Sequence, residues 1–290
     1  MKISELLKQK EVTISFEVFP PKTEERYESV EKAANSIGKL RPDFMSVTYG
    51  AGGGTSAYTL QIAKGLKDKE GVETLCHLTC VSSTREKVRD QLDKMSKLGL
   101  ENIMALRGDI PSEQDFSLPG HYRYATELIR EIKEYGDFCI GGACYPEGHI
   151  ESASRKEDLI HLKEKQDAGC EFLTTQMFFD NDVLYNFLYR AKDVGITIPI
   201  LAGIMPITNV KQISKAASLS GTYFPVAFKA IADRFGSDPR AFEQAGIAYA
   251  VEQIVDLIAN NVNHIHVYSM NKPHVAAMIL ERLSAVLGRK

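Results

Sequence analysis

Glu17 is the residue whose surroundings most invite chemistry. It lies in the run SFEVFPP at 15–21, between Phe16 and Phe19 and just ahead of two prolines. A carboxyl so poorly solvated is expected to hold its proton above the ordinary carboxylate range, as a general acid needs. A structural glutamate paired with an arginine is the competing reading. Strand alternation puts Thr13, Ser15 and Glu17 on one face, and Ile14, Phe16 and Val18 on the other. Polar groups recur at the ends of other short β-rich runs: Ser46 and Thr48 before Tyr49, His77 and Thr79, Arg107-Gly108-Asp109, Tyr145 and His149, Thr174 and Gln176. Each alone has a plain structural explanation, and a lone His77 is readily a core imidazole. Together they bring polar groups to one end of six runs, which packing alone does not ask for.

Other chemistries find fewer parts. No Ser or Cys sits in an evident arrangement with His and an acid for acyl transfer. His264 and His266 share a strand face, as metal ligands can, but they open the last β-rich run, whereas metal-dependent barrel hydrolases carry such a pair on the first; no metal is expected. The run Gly50-Ala51-Gly52-Gly53-Gly54-Thr55 puts Thr55 where a dinucleotide fingerprint needs its third glycine, so it reads as a glycine loop at a barrel mouth. The five cysteines, at 76, 80, 139, 144 and 170, are expected to be small buried thiols rather than a disulfide framework or a zinc site.

The elements that must position these residues alternate along the whole chain. Strands are expected at 12–18, 43–49, 73–80, 101–106, 138–144, 171–177, 197–203 and 263–268. Helical periodicity falls at 24–39, 56–69, 84–98, 121–135, 154–168, 180–193, 208–219 and 272–287. An extra helical stretch, 225–260, contains the start signal Ser237-Asp238-Pro239. Eight βα repeats without a linker-like tract predict an α/β fold, a single (β/α)8 TIM barrel over 1–290 with extra helices between strands 7 and 8.

Composition supports a packed globular protein. The 290 residues are 44% hydrophobic and 25% charged, with 35 Lys+Arg against 38 Asp+Glu for a formal net charge of −3. That balance offers no basic footprint for nucleic acid and no polybasic membrane anchor. The longest apolar stretch, 196–207, holds two prolines and is too short to span a bilayer. The start MKISELLKQKE lacks the apolar run of a secretory signal, so a cytoplasmic protein is expected.

Seven motifs in order resemble the bacterial methylenetetrahydrofolate reductases: SFEVFPP at 15–21, VTYGAGG at 47–53, CHLTC at 76–80, LRGD at 106–109, CYPEGH at 144–149, TTQMFFD at 174–180 and GIMP at 203–206. The resemblance runs from Glu17 to Lys272. It implies an enzyme with noncovalent FAD at the mouth of the barrel, reducing 5,10-methylenetetrahydrofolate to 5-methyltetrahydrofolate in a ping-pong reaction with a nicotinamide dinucleotide, NADH for preference with NADPH open. It implies Glu17 as general acid and Asp109 as a catalytic residue beside flavin and pterin. Flavin contacts carried over are Thr48, Tyr49, Ala51, His77, Arg107, Gly108, Asp109, Tyr124, Ala125, Tyr145, His149, Asp158 and Lys165, with His161 at the diphosphate end. Arg107 and Lys165 suit the diphosphate, and with Lys272 they are expected to converge on one rim. Folate contacts carried over are Thr48, Asp109, Gln176, Gln212 and Lys272, and Gln176 is expected to meet nicotinamide and folate in turn, donating and accepting.

The chain departs from the family pattern at His161 and Glu164, where Asn and Arg are common, at Lys272, where Arg is frequent, and at Ala216, where an aromatic often stacks on ligand. The resemblance also implies a homo-oligomer and no C-terminal regulatory domain, hence no response to S-adenosylmethionine. A pterin-binding methyltransferase barrel and a metal-dependent or noncatalytic barrel are the alternatives; neither needs flavin.

Overall fold

The computed structural model describes residues 1–49, 56–81, 83–108 and 122–288. Its framework is eight parallel strands: β1 (Thr13–Val18), β2 (Phe44–Val47), β3 (Glu73–Thr79), β4 (Asn102–Leu106), β5 (Cys139–Cys144), β6 (Phe172–Thr175), β7 (Ile200–Ile204) and β8 (His264–Tyr268). Each pairs with the next and β8 pairs with β1, closing the barrel. The expected fold is therefore present, and each expected strand holds an observed one, trimmed at the ends except at β7. There the strand starts after Pro199, which has no N–H for the ladder, and runs one residue further.

Strand parity sorts the core into two regions. Ile14, Phe16 and Val18 of β1 face outward into a large cluster shared with the surrounding helices, as do Ile103, Ile140, Leu173 and Ile265. Inside the barrel, Phe44, Leu75, Met104, Cys139, Phe172 and Leu201 fill the lower part. Gly141 makes this packing feasible, since a Cβ there would lie 2.5 Å from the Phe172 ring. All five cysteines are buried and free, as expected from the sequence.

The helices are α1 (Ile3–Gln9), α2 (Tyr27–Gly38), α3 (Ser56–Gly65), α4 (Arg85–Lys97), α5 (Ala125–Tyr135), α6 (Arg155–Asp167), α7 (Asn181–Asp193), α8 (Lys211–Ser220), α9 (Val226–Phe235), α10 (Pro239–Ala259) and α11 (Pro273–Leu283). Side-chain caps at Thr84, Ser154, Asp180 and Asp238 satisfy backbone N–H groups of the first turn. Asp238 accepts from Arg240 and Ala241, so the start signal lies inside the expected 225–260 stretch and divides it into α9 and α10.

Helix α1 was not expected. Its seven residues are too short for periodicity to register, yet Ile3 and Leu7 pack into the lower barrel. Asn102 docks it: Oδ1 accepts from Ile3 N at 2.8 Å and Nδ2 donates to the Met1 carbonyl at 3.2 Å. No helix among the described residues is long and apolar enough to cross a membrane.

Candidate active site

Above the apolar floor the barrel interior turns polar. A cavity of about 400 Å³ opens at the C-terminal ends of the strands, where barrel enzymes carry their sites, and falls within the size range of ligand pockets. Glu17, Thr48, His77, Tyr145, Gln176 and Gln212 line it, bringing together six residues singled out in the sequence. Met104, Met177, Met205 and Met270 add a pliable apolar lining.

Glu17 stands at the centre of a buried polar network. Its Oε2 lies 3.5 Å from His77 Nε2 and 3.7 Å from His266 Nε2. Ser46 Oγ donates to the same oxygen at 3.3 Å and lies 3.2 Å from His266 Nε2, while His266 Nδ1 is 2.8 Å from Ser15 Oγ. Since Ser46 donates to Glu17, its oxygen is left to accept from His266 Nε2, while Ser15 Oγ, beside Nδ1, donates to the Ile265 carbonyl at 3.1 Å. This arrangement corrects the expectation of a raised Glu17 pKa. Burial does push the carboxyl up, but the polar neighbours His266 and His77 and the Ser46 hydroxyl outweigh it and hold Glu17 below the ordinary range. His77 is pushed down to about 4, chiefly by burial.

In the sequence His266 shares a strand face with His264, with no metal expected there, and the structure sets it in the Glu17 network. Paired in register with Ser15, it serves the Glu17 network, and His264 sits lower, 3.0 Å from Thr13 Oγ1. Among the described residues no three His, Cys, Asp or Glu side chains are grouped to hold a metal. Tyr268 carried no sequence signal beyond its parity; its hydroxyl donates to the Thr175 carbonyl at 2.6 Å and it lines the cavity.

Both glutamines are held by their carbonyl oxygens. Gln176 Oε1 accepts from Met177 N at 2.9 Å, so its Nε2 is the end presented for donation. Gln212 Oε1 accepts from Thr208 N, Thr208 Oγ1 and Asn209 N at the start of α8. Lys272 donates to the same Thr208 hydroxyl at 2.6 Å and lies 3.9 Å from Glu243, which sets it beside Gln212 just outside the cavity wall. Ala216 backs this wall, packed with Phe179, Phe224 and Phe228; the Phe179 and Phe224 rings stack at 4.3 Å.

The β4 to β6 side carries the other group of expected residues. Arg107 makes a two-pronged pair with Glu151, at 2.5 and 2.7 Å, and Lys165 donates to the Ala143 carbonyl at 2.8 Å. Burial lowers the Lys165 pKa. Gly108 has φ +86, and a Cβ there would lie 3.1 Å from that of Thr79. Tyr145 meets His149 edge to face at 4.6 Å, and buried Asp158 accepts from Ser152 at 3.4 Å. Tyr124 is the exposed N-cap of α5 and Ala125 its first residue.

Three expectations fare differently. His161 is exposed and pairs with Glu164 of its own helix at 3.3 Å, away from the cavity. Tyr49 packs against the outer core instead of lining the cavity. Arg107 and Lys272 do not converge, because they follow β4 and β8, which stand opposite in an eight-stranded ring, so the cations flank the mouth. Ala51 and Asp109 lie outside the described residues, as does the glycine run 50–55.

A closed parallel barrel with buried acid and imidazole groups at its C-terminal mouth has the architecture of a (β/α)8-barrel enzyme. The family model described as "Methylenetetrahydrofolate reductase" matches residues 2–284. The chain is 36% identical over 275 residues to "5,10-methylenetetrahydrofolate reductase" of Pectobacterium carotovorum subsp. carotovorum, covering 95% of this chain and 91% of that one. It is 35% identical over 298 residues to "Methylenetetrahydrofolate reductase (NADH) 1" of Arabidopsis thaliana, of which it spans 50%. The chain belongs to the methylenetetrahydrofolate reductase family and is an oxidoreductase. A solved structure at 16% identity shares the fold, with TM-score 0.65 over 99% of this chain and 100% of that one: an uncharacterized protein from Clostridium thermocellum that binds two copies of 5-methyl-5,6,7,8-tetrahydrofolic acid.

Proposed function

We propose that this barrel reduces 5,10-methylenetetrahydrofolate to 5-methyltetrahydrofolate with NADH through FAD held at the barrel mouth. The observation that carries the reading is the buried Glu17 carboxyl facing a cavity with two imidazoles, in a chain of this family. When bound, FAD would take a hydride from the nicotinamide and pass it to the folate. The residues present fit such a group. His77 Nε2 and Thr174 Oγ1 are buried polar atoms without hydrogen-bond partners on the cavity wall, and Arg107 and Lys165 supply cations for a diphosphate.

Glu17 would protonate N10 of the folate as its bond to the methylene carbon breaks, leaving a carbon–nitrogen double bond to N5 that accepts the hydride. A ligand seated over Glu17 strips its remaining water, and that burial favours the protonated form which the free site resists. Gln176 offers its Nε2 to a carbonyl of whichever ring occupies the cavity. Gln212 and Lys272 lie where the folate tail leaves the mouth, with Lys272 meeting a carboxylate as a point charge. The preference for NADH follows the printed name of the plant relative.

The test is spectroscopic. Purified protein should take up FAD and show the visible bands of an oxidised flavin, lose them with NADH under anaerobic conditions, and regain them on addition of 5,10-methylenetetrahydrofolate. A protein that takes up no FAD overturns the proposal.

A further inference from the structure

We propose that Thr174 is a further cofactor-contacting residue, its hydroxyl hydrogen-bonding the polar edge of the flavin ring; this rests on the flavoprotein reading above. On β6, alternation sends Phe172, Thr174 and Gln176 into the barrel, Phe172 to the apolar floor and the other two to the cavity. Thr174 is 5% exposed, and its Oγ1 has no hydrogen-bond partner. The adjacent Thr175 shows the contrast: its side chain is fully buried, and its Oγ1 accepts from Gly203 N at 2.8 Å.

A buried hydroxyl without a partner loses its water and receives nothing in return, while valine would fill the same space without that penalty. A threonine here is therefore explained by a partner that arrives with the ligand. Room is available beside it, because its register partner on β5 is Ala143, with Gly141 below. A second atom without a hydrogen bond, His77 Nε2, lies 3.5 Å from Glu17 Oε2 on β3, three strands round the wall. A flat ring with polar atoms on its perimeter can meet both.

Depth selects the flavin over the exchanging rings. Thr174 stands one inward step below Gln176, which follows the end of β6. A resident cofactor must occupy the deeper layer if nicotinamide and folate are to come and go above it.

The test compares Thr174→Val and Thr174→Ser by titrating flavin-free protein with FAD, followed by quenching of flavin fluorescence, and by the flavin reduction potential. The valine variant should bind FAD about three- to tenfold more weakly, the scale of one neutral hydrogen bond, and show a shifted potential, with the serine variant within about twofold of wild type. Thr174→Ala replaces valine if that variant misfolds. Wild-type affinity and potential in the hydroxyl-free variants would overturn the assignment, as would equal weakening by serine and valine, or an effect confined to folate binding. Failure of the wild type itself to take up FAD would overturn the flavoprotein reading and this assignment with it.

Discussion

Glu17 and His266, on strands adjacent across the closure of the barrel, share the Ser46 hydroxyl, 3.3 Å from the carboxylate and 3.2 Å from the imidazole. The pair is not in direct hydrogen-bonding contact, since the Oε2 to Nε2 separation is 3.7 Å. The serine thus links the acid to the histidine, whose far nitrogen lies 2.8 Å from Ser15 Oγ.

Glu17→Gln should slow the folate half-reaction by about 10² or more, the scale of general acid catalysis. Flavin reduction by NADH should stay within a few-fold of wild type. Stopped-flow measurement of the two half-reactions separates these outcomes, and equal loss in both would make Glu17 structural.

Ser46→Ala removes a hydrogen bond that favours the ionised carboxylate, so the Glu17 pKa should rise. The folate half-reaction, which needs the protonated acid, declines as pH rises. In the variant this decline should move to higher pH, and it should vanish in Glu17→Gln. A pH profile of single turnovers checks both.

His77 links acidity to stability. Its pKa falls from 6.5 to about 4 on folding, so between those values the unfolded chain binds more protons. Stability should therefore rise with pH through this window and be lost below it, by an amount on the order of 3 kcal/mol. Urea unfolding at several pH values should show a shallower acid dependence in His77→Gln.

Glu151 occupies both prongs of Arg107. An anionic diphosphate must compete with it, so Glu151→Gln should tighten FAD binding by about twofold to fivefold, as expected for a partly exposed ion pair. Unchanged or weaker FAD affinity would show that Arg107 does not meet the cofactor.

Gly203→Ala should destabilise the barrel by about 2–3 kcal/mol, the upper range for overpacking. The new Cβ would lie 2.3 Å from the Thr175 carbonyl and 2.7 Å from the Tyr268 hydroxyl. Thermal melting checks the loss.

Strand parity was the most legible feature of the sequence. Because side chains alternate, placing Glu17 inward also placed Ser15, and the same rule on β2, β3 and β6 identified Ser46, His77 and Thr174. What parity cannot express is which strand meets which across the closure. Only the β1–β8 register, with the Ser46 contact reaching over from β2, shows that His266 faces Ser15 and Ser46. The sign of the Glu17 shift was hidden for the same reason: apolar sequence neighbours implied burial alone, while the groups that stabilise the anion come from β2, β3 and β8. The opposed placement of Arg107 and Lys272 likewise needs the ring to be closed.

The floor laid by Ile3 and Leu7 beneath the barrel makes the cavity a blind well. The network of Ser46, His266 and Ser15 ends below on the Ile265 carbonyl, to which Ser15 donates at 3.1 Å. A proton bound for Glu17 has the upper opening as its entrance, so it must reach the carboxyl before, or together with, a ring that covers that opening.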